Sequence, residues 1–277
     1  MGSIYACLAL ALVMIYQSTN HINFAQGEMA MLSTFVAYLC VKHGLPYWAS
    51  FLVAVGSGFL LGVVVERVIL RHFRSASDLT VVVVFMGLFI GFNSIAGLIF
   101  GNELQDFPTP FKALTPLGRN LLTGHEIGTI GVAVLVVLVL YSFLRFTRLG
   151  LAMRAAAENP TSSRLSGVPA SALLSLGWGI SAAIGAVAGL MVAPVVFLDP
   201  NMMGGVLIYA FAAALLGGID SPWGAVVGGI AVGVIENLAG NYVVGTELKL
   251  TVALLLIVGV LLVRPSGLFG RRVVTRV

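Results

Sequence analysis

Charge is what this sequence has least of. Only 9% of its 277 residues are Asp, Glu, Lys or Arg, against about 25% in ordinary soluble domains. With 59% apolar residues and a mean hydropathy of +1.04, the chain cannot cover a water-facing surface. Nearly continuous apolar windows identify a polytopic membrane protein. Cysteine is almost absent too. Cys7 and Cys40 both fall in apolar segments, which excludes a disulfide framework and leaves two small hydrophobes. Lysine is as scarce, and none of Lys42, Lys112 and Lys249 follows a glycine. The chain therefore lacks a GxxxxGK[ST] phosphate cradle and is not expected to hydrolyse ATP. His21, His43, His72 and His125 are scattered, with no HExxH or Cys/His pairing to suggest a metal. No carboxylate pair or nucleophile–base arrangement suggests an enzyme. A signal peptide's basic n-region and small-residue cleavage site are also missing. What these absences leave is transport.

What is present is glycine, 33 residues of it. Gly58/Gly62, Gly87/Gly91, Gly185/Gly189, Gly224/Gly228 and Gly229/Gly233 have the GxxxG spacing that lets membrane helices pack closely. Lipid as solvent demands helices, so the fold expected is an all-α bundle. Apolar spans fall near 2–17, 24–41, 47–70, 79–100, 128–146, 172–192, 204–219, 223–240 and 247–263. Arg67, Arg71 and Arg74 follow the third span; Arg145, Arg148, Arg154 and Arg164 follow the fifth; Arg264, Arg271, Arg272 and Arg276 follow the last. The positive-inside rule places those loops and the C-terminus in the cytoplasm, with 101–127 and 193–203 outside. The net charge of +4 thus concerns orientation, and no nucleic-acid partner is expected. Residues 2–17 make a helix of roughly 24 Å, short against a hydrocarbon core of roughly 30 Å. Either the first helix begins upstream or the bilayer thins around it, and the count stands at eight or nine spans.

Two interruptions stand out. In STNHINFAQGE, 18–28, Asn23 precedes Gln26 at capping-box spacing and Glu28 falls in the first turn of a new helix. In GGIDSPWG, 217–224, Ser221 is an N-cap and Pro222 a first-turn residue. Such a pair is either two well-capped turns or the broken segments that line a transporter's path. Among ionisable residues within spans, Glu66 and Arg67 lie near a cytoplasmic end and can snorkel. Glu236 is deeper, where a charge faces a cavity or a packing partner. Asn93 is either path lining or an interhelical hydrogen bond. Candidate path residues are therefore Asn23, Gln26, Glu28, Asn93, Ser221 and Glu236.

The remaining feature is a polar island, TRLGLAMRAAAENPTSSRLSGVP at 147–169. Thr147 can cap a short helix through Glu158, and Asn159-Pro160 can start a second ending at Gly167. Ala152, Ala155, Ala156 and Ala157 give the first helix a low-relief face for a partner. An isolated helix this short is marginal in water. Four motifs in order, INFAQGE (22–28), TRLGLAMRAAAEN (147–159), LLGGIDSPWGAVVGG (215–229) and RPSGLFG (264–270), resemble the permeases of bacterial branched-chain amino-acid ABC importers of the LivH type.

The resemblance covers essentially the whole chain. It departs at the N-terminus, which lacks the first part of the first helix, and at Asp220, where a small residue is more usual. It implies a single inner-membrane permease domain over 1–277, with a coupling segment at 147–168 and an outer loop at 101–127. Implied partners are a second permease (identical or different), two cytosolic ATPases that bind the ATP, and a periplasmic substrate-binding protein. The chain itself would carry no cofactor. ATPase coupling would fall on Arg148, Gly150, Arg154, Ala155, Ala156, Glu158 and Asn159. Urea, short-chain amides or other amino acids are alternative cargoes, and an ion-coupled secondary transporter is the alternative class.

Overall fold

The computed structural model describes residues 1–19, 21–73, 76–111, 123–158, 163, 169–243 and 245–270. The elements are α1 (Gly2–Thr19), α2 (Gln26–Lys42), α3 (Tyr47–Val64), α4 (Asp78–Phe100), α5 (Gly124–Phe146), α6 (Arg148–Glu158), α7 (Ala170–Val196), α8 (Met203–Gly217), α9 (Pro222–Tyr242) and α10 (Lys249–Val263). A π turn (Val65–Ile69) and a 3-10 turn (Leu70–Phe73) extend α3. The described residues hold no strand, only one isolated backbone pair between Gln105 and Leu198. Among the described residues six helices are long and apolar enough to cross a membrane: α1, α3 with its extension to Phe73, α4, α5, α7 and α9. Helices α8 and α10 are shorter and apolar, and α2 has 17 residues.

Helix α1 is the centre of the bundle. Every residue from Ile4 to Ile15 is buried, because α5, α7, α8 and α9 pack around it. Its 18 residues span roughly 27 Å. The objection to its length loses force here, since hydrophobic mismatch concerns surfaces that meet lipid. Helix α4 is the opposite case, leaning chiefly on α2 and otherwise exposed.

Local signals explain most boundaries. Ser221 Oγ accepts from Gly224 N at 3.1 Å with Pro222 in the first turn of α9, as expected. Thr147 Oγ1 accepts from Gly150 N at 3.0 Å and so starts α6, also as expected. Helix α5 begins at Gly124, four residues ahead of the apolar window. There Thr123 and Glu126 form a capping box whose polar residues carry no hydropathy signal. The expected snorkelling of Glu66 is corrected. The residue is buried in the π turn, where Ser175 Oγ of α7 donates to its carboxylate and Arg67 Nε donates to the same Ser175 Oγ at 3.4 Å.

Long-range bonds sort the ends into two groups. His21 pairs with Asp78 at 3.3 Å, Gln17 Nε2 donates to the Asp220 carbonyl at 2.8 Å, and Leu268 and Phe269 N–H groups reach the carbonyls of Leu216 and Gly217. The end of α1, the start of α4, the α8–α9 turn and the segment after α10 are thereby linked pairwise. Elsewhere Tyr38 donates to Gln105, which exchanges backbone bonds with Leu198, and a ring nitrogen of His125 lies 3.0 Å from the Met191 carbonyl. That second set joins the end of α2, the start of α5 and the end of α7.

Small residues set the closest approaches. A Cβ at Gly62 would strike the Trp178 carbonyl and come within 2.8 Å of the Ala182 methyl, so α3 and α7 meet backbone to backbone there. Gly185/Gly189, Gly224/Gly228 and Gly229/Gly233 are closed by α2, α8 and α1 respectively. Gly87/Gly91 differs from the packing expectation. Nothing within this chain lies within 4 Å of a Cβ at either position, because α4 turns that face outward. Gly62→Leu should therefore lower the stability of the purified subunit by about 1–3 kcal/mol through overpacking. Gly87→Ala should shift it by less than about 0.5 kcal/mol. Thermal unfolding in detergent reads both, and equal midpoints would show that residue 62 does not limit the α3–α7 approach.

Candidate functional site

The first break lies inside the bundle. Asn23, Gln26 and Glu28 are all buried at the start of α2. A backbone that leaves its helix there has no water to bond, so protein groups must serve. Asn23 Oδ1 accepts from Ala25 N at 3.0 Å, and Asn23 Nδ2 donates to Gln26 Oε1 at 3.1 Å. Gln26 thus meets the Asn23 side chain, where sequence spacing pointed to its backbone. Gln26 Nε2 continues to the carbonyl of Ser181 at 3.1 Å, and Ser181 Oγ donates to the Ala11 carbonyl at 2.7 Å. Ser181 lies near the middle of the 27-residue α7, so α2 begins against the middle of a spanning helix.

Asn93 brings a second break to the first. Its Nδ2 donates to the Pro200 carbonyl at 2.9 Å and Asn201 Oδ1 at 3.1 Å, and lies 3.4 Å from Glu28 Oε2. Asp199 Oδ1 accepts from Asn201 N at 2.7 Å and shapes the turn that enters α8. Met203 and Leu207 of α8 lie 3.2 and 3.6 Å from a Cβ placed at Gly27. The N-terminal turns of α2 and α8 therefore abut. The 18–28 break pairs with 197–202, where the sequence reading paired it with 217–224. Ser221 sits apart in the α8–α9 turn, beside the segment that ends at Gly270.

Glu236 forms a separate group. It is 8% exposed on α9 and neighbours Tyr5 of α1, whose ring stacks on Tyr209 of α8 at 4.9 Å. Of the six candidates the structure joins Asn23, Gln26, Glu28 and Asn93, and leaves Glu236 and Ser221 elsewhere. Sequence reading missed Tyr5, Ser181, Asp199, Asn201 and Tyr209. A polar tip inside an apolar run was the available signal for the two tyrosines and Ser181.

Helix α6 packs on α5 and α7. Gly150 is buried, because a Cβ there would strike the Phe143 carbonyl and Leu144. Arg148, Arg154 and Ala155 are exposed, joined by Leu149 and Leu151, which sequence reading had not singled out. Ala156 instead packs inward with Ala152 against the core, so the low-relief face is narrower than the alanine count implied. Glu158 is the last residue of α6. Asn159 lies outside the described residues, as does all but the buried Ser163 of the helix expected from it to Gly167.

A family model described as the permease component of branched-chain amino acid transport systems matches residues 1–261. The chain is 32% identical over 294 residues to the high-affinity branched-chain amino acid transport system permease protein LivH of Salmonella typhimurium, covering 100% of this chain and 94% of that one. It is 31% identical over 291 residues to the corresponding permease protein BraD of Pseudomonas aeruginosa, with the same coverage. It is also 26% identical over 248 residues to the fructose import permease protein FruF of Bifidobacterium longum, covering 84% of this chain and 66% of that one. No solved structure matches.

The closeness of Tyr5 and Glu236 yields a direct test. If the Tyr5 hydroxyl donates to the carboxylate, Tyr5→Phe should destabilise the subunit by about 1–3 kcal/mol. Glu236→Gln should relieve most of that cost. A double-mutant cycle on unfolding in detergent should give a coupling of about 0.5–3 kcal/mol. Additive effects would show that the two side chains do not share a bond.

Proposed function

Because this chain belongs to the family of permease components of branched-chain amino acid transport systems, we propose that it is the membrane subunit of an ABC importer for branched-chain amino acids in the bacterial inner membrane. The observation that carries the reading is similarity over the full length to permeases named for that cargo. Those names favour branched-chain amino acids over urea, short-chain amides or other amino acids. An ion-coupled secondary transporter fits less well, since that family assignment extends over 1–261.

In this reading the whole of 1–277 is one permease domain that works with a second permease, identical or different. Two cytosolic ATPases bind the ATP, no cofactor resides in this chain, and a periplasmic binding protein delivers the substrate. The two sets of linked ends favour nine crossings by α1–α5 and α7–α10, with the C-terminus cytoplasmic and 101–127 outside. The coupling segment is 147–168, with Arg148, Arg154 and Ala155 of α6 facing the ATPase and Gly150 seating the helix. Glu28 and Asn93, buried where two helices begin, line the substrate path. Helix N-termini brought together inside a membrane are the element that transporters use to hold small charged solutes.

Reconstituted alone, the subunit should neither hydrolyse ATP nor concentrate substrate, and its partners should restore both. Uphill uptake by the chain alone on a proton or sodium gradient would sink the ABC reading. Cysteines placed at Arg71 and Leu151 should label from the cytoplasm and one at Asn201 from outside; the reverse pattern would invert the topology.

Coupling and path should separate by mutation. Ala155→Trp and Gly150→Pro should reduce co-purification of the ATPases on the order of tenfold, the effect of about 1.4 kcal/mol. Gly150→Pro would also remove the N–H that bonds Thr147. Glu28→Gln should keep ATPase binding and lower uptake by a similar factor. Normal pull-down and uptake in both α6 variants would show that α6 is not the contact.

A further inference from the structure

Helices α5 and α9 stand apart, with α1 as the floor between them. The groove so formed encloses a cavity of about 840 Å³ whose walls are almost wholly apolar, among them Ala133 and Val134 of α5 and Ile230 and Val234 of α9. An extension of about 180 Å³ shares Val137, Trp223 and Val226 with it and runs to Arg145 at the end of α5 and Arg154 on α6. Tyr141 packs edge-on to Trp223 at 5.4 Å, and Arg145 lies 5.8 Å from the Tyr141 ring centroid. Among the described residues the one ion pair is His21–Asp78, and none of them gives either guanidinium a carboxylate partner.

We propose that this groove binds an anionic phospholipid, with an acyl chain between α5 and α9 and the phosphate at Arg145 and Arg154. The length and lining argue for a chain. The main cavity follows α5 from His125 to Leu138, roughly 20 Å of helix, on the scale of one leaflet's share of a hydrocarbon core of roughly 30 Å. The charge argues for the headgroup, since two guanidiniums at the end of an apolar groove match phosphate oxygens in geometry and sign. Tyr141 and Trp223 are the residue types that mark the interfacial level of a membrane, where such a phosphate lies. The site requires only that the chain lie in a bilayer and is independent of cargo; Arg154 is shared with the α6 surface assigned to the ATPase, so the headgroup contact is tested on the subunit alone.

Native mass spectrometry of the purified subunit tests this with three probes: phosphatidylglycerol, phosphatidylcholine of the same chains, and inorganic phosphate. One phosphatidylglycerol should be retained about tenfold more tightly than phosphatidylcholine, a difference of about 1.4 kcal/mol, and inorganic phosphate should not be retained. Arg145→Gln with Arg154→Gln should reduce phosphatidylglycerol to the phosphatidylcholine level, while lysine at both positions keeps the preference. Val134→Trp, at a half-exposed wall residue that folding tolerates, should weaken both lipids by filling the groove. Equal retention of the two lipids, or a preference that survives the double glutamine variant, would overturn the proposal. So would photo-crosslinks from position 134 in the assembled transporter that reach another protein segment and no lipid.

Discussion

The bundle depends on one constraint: a polar group released by a broken helix inside lipid must find its partner in protein. Water cannot serve a carbonyl or an amide in the hydrocarbon region. At the start of α2 the requirement is met by Asn23, by Gln26 and by the carbonyl of Ser181, itself on the helix whose Ser181 hydroxyl reaches α1. Asn93 then meets the turn before α8 with the same amide that faces Glu28. These side chains fix where two helices begin, and so fix the register of α2 and α8 against α7 and α4. Buried hydrogen bonds of this kind contribute little net stability when made, but cost about 1–3 kcal/mol when one partner is lost.

Small residues supply the complementary constraint. Without a hydrophobic driving force between helices in lipid, close packing must provide the attraction. Gly62 against Trp178 and Gly229 against Ala6 bring backbones near enough for many such contacts. Enclosure of α1 follows from this, as does the exposure of α4. The one glycine pair left uncovered within the subunit, Gly87/Gly91, lies on the helix with the fewest neighbours.

Much of this was legible in the sequence wherever the determinant was local. Ser221-Pro222 and Thr147 announce helix starts by chemistry within three residues, and both starts are found there. Long-range determinants were not legible. Glu66 reads as a snorkelling residue because Ser175, its buried partner, lies 109 positions away. The 197–202 segment has a single proline, Pro200, against the Gly/Pro cluster of 217–224, so the bonds from Asn93, more than 100 positions earlier, reveal which break pairs with 18–28. Orientation within α6 was hidden for another reason. Alanines look alike in sequence, and with Gly150 buried, Ala152 and Ala156 turn inward while Ala155 stays exposed.

Helix α7 joins the two ends of the proposed mechanism. Near its start, Met153 of α6 and Ser18 of α1 both approach Gly177, at 3.5 and 3.1 Å from the position of a Cβ. One turn further on, Ser181 bonds Gln26 through its carbonyl and Ala11 through its hydroxyl. A displacement of α6 by a partner would thus bear on the same stretch of α7 that holds the buried start of α2. Packed helices shift as units because close-packed interiors have few voids to absorb a movement. Gly177 and Ser181 lie one above the other on a single helix face. The contact that seats α6 and the bond that anchors the break therefore act on one rigid stripe, and neither can move far without the other.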